Sequence, residues 1–260
     1  MDRLLTGIAL GAVVLLLILW AGPGLFVIIL TGFILATQSE YYDLFREQPE
    51  KAKRPVGLAF SAVLSLSFYW GLPSAAAAFS LCTLTMLTWI LFLERNRVRA
   101  IHTTAITLFG MAYVTWNLGH LSLIRQLDNG VGAIFLLLLV IVAGDSVAYY
   151  AGKHLGHHHI FPAVSPNKTW EGSAAGLAAS IAIAAIASAT FYAQIGLERA
   201  VMMGLAIGLA GQLGDFFESM LKRSAGIKDS SHLLPGHGGL LDRLDALTFA
   251  APVFYYLSRL

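Results

Sequence analysis

The chain has 260 residues, 57% of them hydrophobic and only 12% charged, with a mean hydropathy of +0.71. A soluble domain carries about 25% charged residues, so a water-soluble globule, a disordered chain and a fibrous protein are excluded. What remains is a polytopic membrane protein. The net charge of +2, from 17 Lys and Arg against 15 Asp and Glu, is too balanced to imply a nucleic-acid partner. The single cysteine, Cys82, lies in an apolar stretch, which excludes an internal disulfide and a cysteine-based zinc site.

A bilayer-crossing helix needs about 20 mostly apolar residues. In chain order the candidates are 4–20, 23–38, 56–71, 74–93, 104–124, 131–152, 173–194, 200–221 and 244–258. They predict an all-α fold of about nine transmembrane helices in one integrated membrane domain. Within it, residues 1–130 hold generic spans and 131–260 carry the chemistry-bearing motifs. The first two spans are joined only by residues 21–24 and the third and fourth by Gly71-Leu72-Pro73, breaker residues that suit tight helical hairpins. The opening span behind Arg3 has the shape of a signal peptide, but eight further spans favour an uncleaved helix.

Sorting the basic residues over alternate sides orients the bundle. Arg3, Arg46, Lys51, Lys53, Arg54, Arg95, Arg97, Arg99, Lys153, Lys168, Lys222, Arg223, Lys228 and Arg243 fall on one side; Arg125, Arg199 and Arg259 fall on the other. Cytoplasmic loops hold the excess of Lys and Arg. The expectation is therefore a cytoplasmic N-terminus, an external C-terminus, and cytoplasmic loops at 153–172 and 222–243. Gly172, Gly176 and Ser180 form a small-residue stripe that serves packing inside the bundle or, alternatively, a homodimer interface.

Most spans lack ionisable residues. Asp145 lies seven residues before the end of the sixth span, and Asp215 with Glu218 lies in the eighth. At 1.5 Å per residue both aspartates sit about 10 Å below the cytoplasmic surface. An acid in hydrocarbon costs at least about 2.5 kcal/mol, so it faces a cavity and has a task, or else pairs with a base or snorkels. The eighth span carries a stripe at helical spacing: Gly204, Gly208, Gly211, Asp215, Glu218 with Ser219, and Lys222. A face that changes from small to charged suits a helix packed below and wet above.

The loop 222–243 holds Lys222, Arg223, Lys228 and Arg243 with Gly226, Gly236, Gly238 and Gly239, and leads into Asp242 and Asp245, spaced i, i+3. Glycines let backbone N–H groups cradle anionic oxygens, and bases supply charge. Carboxylates beside an array of bases are what a Mg²⁺–polyphosphate site requires, since Mg²⁺ uses one or two carboxylates plus water and substrate phosphates. The other loop places Ser165-Pro166-Asn167-Lys168-Thr169-Trp170-Glu171-Gly172 ahead of the seventh span, where polar residues cap a helix or bind an anion. The tract His154, His157, His158 and His159 has no carboxylate or cysteine partner in the sequence to fix a metal geometry, and is expected to be a solvated loop.

Over 27 positions, Ser219, Leu221-Lys222-Arg223, Lys228-Asp229, Ser231, Leu234-Pro235, His237-Gly238-Gly239-Leu240 and Asp242-Arg243-Leu244-Asp245 resemble the signature of the CTP:phosphatidate cytidylyltransferase (CDP-diacylglycerol synthase) family. Asp145-Ser146, Ala148-Tyr149 and the stretch Ser165 to Gly172 are similar to other family segments. The resemblance covers about 140–258; Asn167 departs from it where the family often has a second Lys. It implies transfer of CMP from CTP to phosphatidate at the inner face of the cell membrane, giving CDP-diacylglycerol and pyrophosphate. It further implies one or two Mg²⁺ ions held by Asp215 and Asp242 with support from Asp245 and Asp145. Lys222, Arg223 and Lys228 would grip the triphosphate, and Arg243 the phosphatidate or the leaving group. Ser165 and Lys168 would bind nucleotide or lipid phosphate, with Ser219 also at the substrate. His237 would position the loop or touch phosphate.

Two rival readings stay open. A CTP-dependent lipid kinase, or a paralogue acting on another lipid phosphate, would carry similar loop chemistry. A transporter would also bury acids, but near the midplane and often with repeat symmetry; here the acids gather toward one surface and no repeat is visible.

Overall fold

The computed structural model describes residues 11, 15–16, 18–46, 52–93, 96–227, 230–231 and 238–260. The expected first span, 4–20, falls largely outside them. The described chain is helical, and five of its helical segments are long and apolar enough to cross a membrane: Pro23–Asp43, Leu72–Phe92, Gly130–Leu155, Trp170–Ala189 and Ala193–Ser224. The chain is an all-α, multi-pass membrane protein, with one small strand pair among the described residues.

In chain order the helices are α1 (Pro23–Asp43), α2 (Arg54–Ser67), α3 (Leu72–Leu93), α4 (Arg97–Gly110), α5 (Asn117–Arg125), α6 (Gly130–Leu155), α7 (Trp170–Ala189), α8 (Gly196–Ser224) and α9 (Leu241–Ser258). Their starts are written in the sequence. Proline opens α1 and α2 in the first turn, where its missing N–H costs nothing. Side chains cap three others: Asn96 accepts from Arg99 N–H at 3.1 Å, Asn129 from Gly132 N–H at 3.0 Å, and Thr169 from Gly172 N–H at 3.2 Å. Gly71, at φ +96°, turns the chain between a 3₁₀ turn at Phe68–Trp70 and α3, a conformation that favours glycine.

Two places differ from the sequence expectation. The stretch read as one span over 104–124 begins at Arg97 and passes through a π-helical segment, Met111–Trp116, between α4 and α5. The tract expected as a solvated loop is divided: His154 lies in the last turn of α6, and His157 and His158 lead into an antiparallel hairpin of β1 (His159–Phe161) and β2 (Ser165–Thr169), which pairs His159 with Thr169 and Phe161 with Ser165 across an irregularity. The four histidines are exposed as expected, yet His157 and His158 are tied to Glu171. His158 Nδ1 lies 2.6 Å from Glu171 Oε1, and the N–H groups of His157 and His158 donate to Glu171 Oε2 at 3.2 and 3.3 Å. The carboxylate partner that the sequence did not reveal is thus Glu171, brought back by the strand pairing.

The chain divides into two compact units, Met1–Leu123 with Ala225–Leu244, and Ile124–Ser224 with Asp245–Leu260. In the first, α1 is joined to the helices around it by polar groups as well as apolar packing. Tyr42 O–H donates to Thr107 O at 3.1 Å, Thr31 and Ser65 hydroxyls lie 2.8 Å apart, and Thr115 O–H donates to Gln38 Oε1 at 3.1 Å. Such bonds are strongly directional where no water competes. Helix α3 instead exposes Leu81, Leu84, Leu87, Leu91 and Phe92, as contact with lipid tails requires.

The second unit rests on small residues. A Cβ added to Gly176 would lie 2.7 Å from Gly144 O, one added to Gly172 2.7 Å from Ala148 O, and one added to Gly208 2.8 Å from Ser180 Cβ. Helix α7 is therefore in backbone-level contact with α6 on one side and α8 on the other. The stripe Gly172, Gly176 and Ser180 is used inside the bundle.

Candidate functional site

Close helix approach determines where the second unit's acids lie. A Cβ on Gly214 would stand 2.4 Å from Asp245 O, so α8 meets the backbone of α9 beside Asp215. Asp145 comes from α6, on the same side of the unit. The charges of Asp145, Asp215 and Asp245 all interact, and Lys168 from β2 acts on Asp145 and Asp245 as well. Lys168 Nζ forms an ion pair with Asp215 Oδ2, each side chain about one-third exposed. Asp145 is exposed at the protein surface, while Asp215 and Asp245 are half-buried. A small hollow beside Asp145 is lined by Gly144, Ser180, Gly208, Gly211 and Gln212 among others.

The hairpin holds Lys168 in that group. The Lys168 ammonium lies 4.4 Å from the centre of the Phe216 ring, a cation–π contact. Phe216 meets Phe161 of β1 edge to face at 5.5 Å. Arg223 Nε donates to Val164 O at 3.4 Å, fixing the hairpin turn to the end of α8. Gln212 ties α8 to α7, accepting from Ser173 O–H and donating to Ser173 O at 3.1 Å.

The structure thus brings Asp145, Lys168, Asp215 and Asp245 together. Lys222 is engaged by Glu218 one turn earlier, Nζ to Oε2 at 2.7 Å, as their i, i+4 spacing allows. Ser165 pairs in β2 and Ser219 is half-buried on α8. Lys228 and His237 lie outside the described residues.

Asp242 belongs to the first unit, and one of its oxygens meets hydroxyl and backbone donors. Its Oδ2 accepts from Ser230 N–H at 3.2 Å, Ser230 O–H at 3.0 Å and Gly239 N–H at 2.8 Å. Arg243 beside it is exposed. The same segment meets an acid that sequence reasoning missed, Glu40 of α1, 5% exposed. Its carboxylate accepts from Ser230 O–H at 3.3 Å, Ser231 O–H at 2.6 Å, Leu240 N–H at 3.0 Å and Leu241 N–H at 2.7 Å. The one local signal was an acid at the end of an apolar helix; its partners lie 190 to 201 residues away, beyond any spacing rule. Gln212 was likewise legible only as a polar residue in an apolar run.

Among the described residues, no three His, Cys, Asp or Glu side chains are gathered closely enough to hold a metal ion by themselves. The chemistry of the donor set still suits a hard cation. Asp145, Asp215 and Asp245 offer only oxygens and concentrate like charge around Lys168. A site with one or two carboxylates, completed by water and phosphate, is the usual setting for Mg²⁺.

The Cytidylyltransferase family model matches residues 1–260. A phosphatidate cytidylyltransferase of Bacillus subtilis (strain 168) is 43% identical over 138 residues, covering 53% of this chain and 51% of the relative. One of Haemophilus influenzae is 42% identical over 47% of this chain and 45% of its own length. One of Mycobacterium leprae is 29% identical over 98% of this chain and 86% of its own length. The matches to the Bacillus and Haemophilus proteins thus span about half of those relatives, whereas the family match runs end to end. The chain belongs to the Cytidylyltransferase family.

Proposed function

We propose that this protein transfers CMP from CTP to phosphatidate, giving CDP-diacylglycerol and pyrophosphate. The observation that carries the reading is the Lys168–Asp215 ion pair beside the close α8–α9 approach at Asp245 and the hollow lined by Asp145, within a chain matched throughout by the Cytidylyltransferase family. The names of the relatives supply the substrates.

A phosphatidate oxygen attacks the α-phosphorus of CTP, the bond from that phosphorus to the bridging oxygen of the β-phosphate breaks, and pyrophosphate leaves. The phosphate monoester is already anionic, so no side chain has to remove a proton. Catalysis is then positioning and charge neutralisation. Asp215 and Asp245, with Asp145 in support, are the residues of the second unit that would hold Mg²⁺; Asp242 is assigned to the metal by family resemblance. Bound there, Mg²⁺ would offset the triphosphate charge and that of the leaving pyrophosphate. Lys168 orients Asp215 and offers positive charge to phosphate. Lys222 and Arg223, with Lys228 from the signature, take the triphosphate, and Arg243 the lipid phosphate or the leaving group. Ser165 and Ser219 are hydroxyl donors to substrate, and His237 serves the signature loop.

The basic-residue sorting supports a cell-membrane protein of nine spans with a cytoplasmic N-terminus and a site open to cytoplasmic CTP. The reaction needs no nucleic-acid partner. The test is purified full-length protein in lipid vesicles with CTP labelled at the α-phosphate, phosphatidate and Mg²⁺. The expected result is label in the lipid with release of pyrophosphate. Label recovered in CDP would instead establish a lipid kinase and overturn the proposal.

A further inference from the structure

Glu40 stands in the first unit, far in sequence from every motif, and its carboxylate is filled with donors from one distant segment. Ser231 O–H and Leu240 N–H donate to Oε1 and Leu241 N–H to Oε2, where the single Ser230 hydroxyl proton is shared with Asp242 Oδ2. The two stretches so held, 230–231 and 239–241, flank residues 232–237 of the signature and lead directly into Asp242. Asp242 repeats the tie, taking Ser230 and Gly239 on Oδ2. The fit leaves no slack: a Cβ on Gly239 would stand 1.9 Å from Ser230 Oγ and 2.7 Å from Glu40 Oε2. Leu240 and Leu241 open α9, where their N–H groups have no carbonyl within the helix to meet. Glu40 supplies that acceptor.

We infer that Glu40 is a positioning residue that clamps both ends of the signature loop and sets the start of α9, and so places Asp242 and Arg243 for the reaction proposed above, on which this inference rests. A carboxylate is needed because every partner donates: two backbone N–H groups, the Ser231 hydroxyl, and the Ser230 proton shared with Asp242. The amide of Gln would turn its NH₂ against a hydroxyl and a backbone N–H, and break the clamp. Asp keeps the acceptors but falls one methylene short.

The test combines amide hydrogen exchange with steady-state turnover of CTP and phosphatidate. In the full-length wild type, without substrate, the Leu240 and Leu241 amides should be protected, and in Glu40→Gln they should exchange at least about tenfold faster. Turnover per folded molecule should fall about 100-fold in Glu40→Gln, and Glu40→Asp should recover part of that loss. A merely structural role would lower yield or melting temperature while the folded fraction turned over at the wild-type rate, and that result overturns the inference. Unprotected Leu240 and Leu241 amides in the wild type overturn it as well, even if Glu40→Gln does not fold. A wild type that makes no CDP-diacylglycerol sinks the proposed function instead, and the exchange data still decide whether Glu40 holds the loop.

Discussion

Two groups of carboxylates, one in each unit, are treated in opposite ways. In the first, Glu40 and Asp242 accept from neutral hydroxyl and backbone N–H groups of one segment. In the second, Asp145, Asp215 and Asp245 face one another's charge with Lys168 among them. A carboxylate filled by fixed donors spends its acceptor capacity on shape. Like charges held together retain unmet attraction for a cation or a substrate, the arrangement that marks a chemical site. The difference separates Glu40, whose acceptors are filled by the segment it holds, from Asp145, Asp215 and Asp245, which crowd like charge around Lys168.

The comparison breaks most readily at the metal. Removing divalent ions with a chelator should abolish CDP-diacylglycerol formation, and Mg²⁺ should restore it, while hydrogen-exchange protection at Leu240 and Leu241 stays unchanged. A loss of that protection on chelation would mean that the loop, too, depends on the ion. Next in size is Lys168→Met, which removes the cation from the acid group. Turnover should fall about 10²-fold with little change in melting temperature, since the side chain is about one-third exposed. Arg at this position should recover part of the loss.

Gly176→Leu probes the frame rather than the charges. Its side chain would press on Gly144 O and Ala148 Cβ, and overpacking of that kind costs about 1–3 kcal/mol. Thermal melting in detergent should show a lower midpoint. Glu171→Gln should do least. It weakens the His158 contact at the protein surface, where ion pairs contribute little, so both melting and turnover should stay near wild type.

Much of this organisation was legible in the sequence. Apolar runs located the helices because lipid demands about 20 such residues, and Gly71 and Pro23 marked turns and starts because backbone conformation is local. Asp145 and Asp215 stood out because a charge in an apolar span needs a cause, and Asp245 because it follows Asp242 at i, i+3 beside the basic loop. The hairpin was hidden because β2 reads Ser165-Pro166-Asn167-Lys168-Thr169, a polar string with a proline and no alternation. The π segment at Met111–Trp116 leaves no mark in hydropathy, since the side chains remain apolar on every face. Glu40 was hidden by distance, as no periodicity connects α1 with a segment some 200 residues later.

The decisive measurement is turnover and melting of Asp215→Asn and Asp145→Asn beside wild type, in the same vesicles and at limiting Mg²⁺. Asp215→Asn should lose about 10³-fold in turnover, Asp145→Asn less, and both should melt near the wild-type temperature. Near-wild-type turnover in Asp215→Asn would mean that the acid group of the second unit is only scaffold.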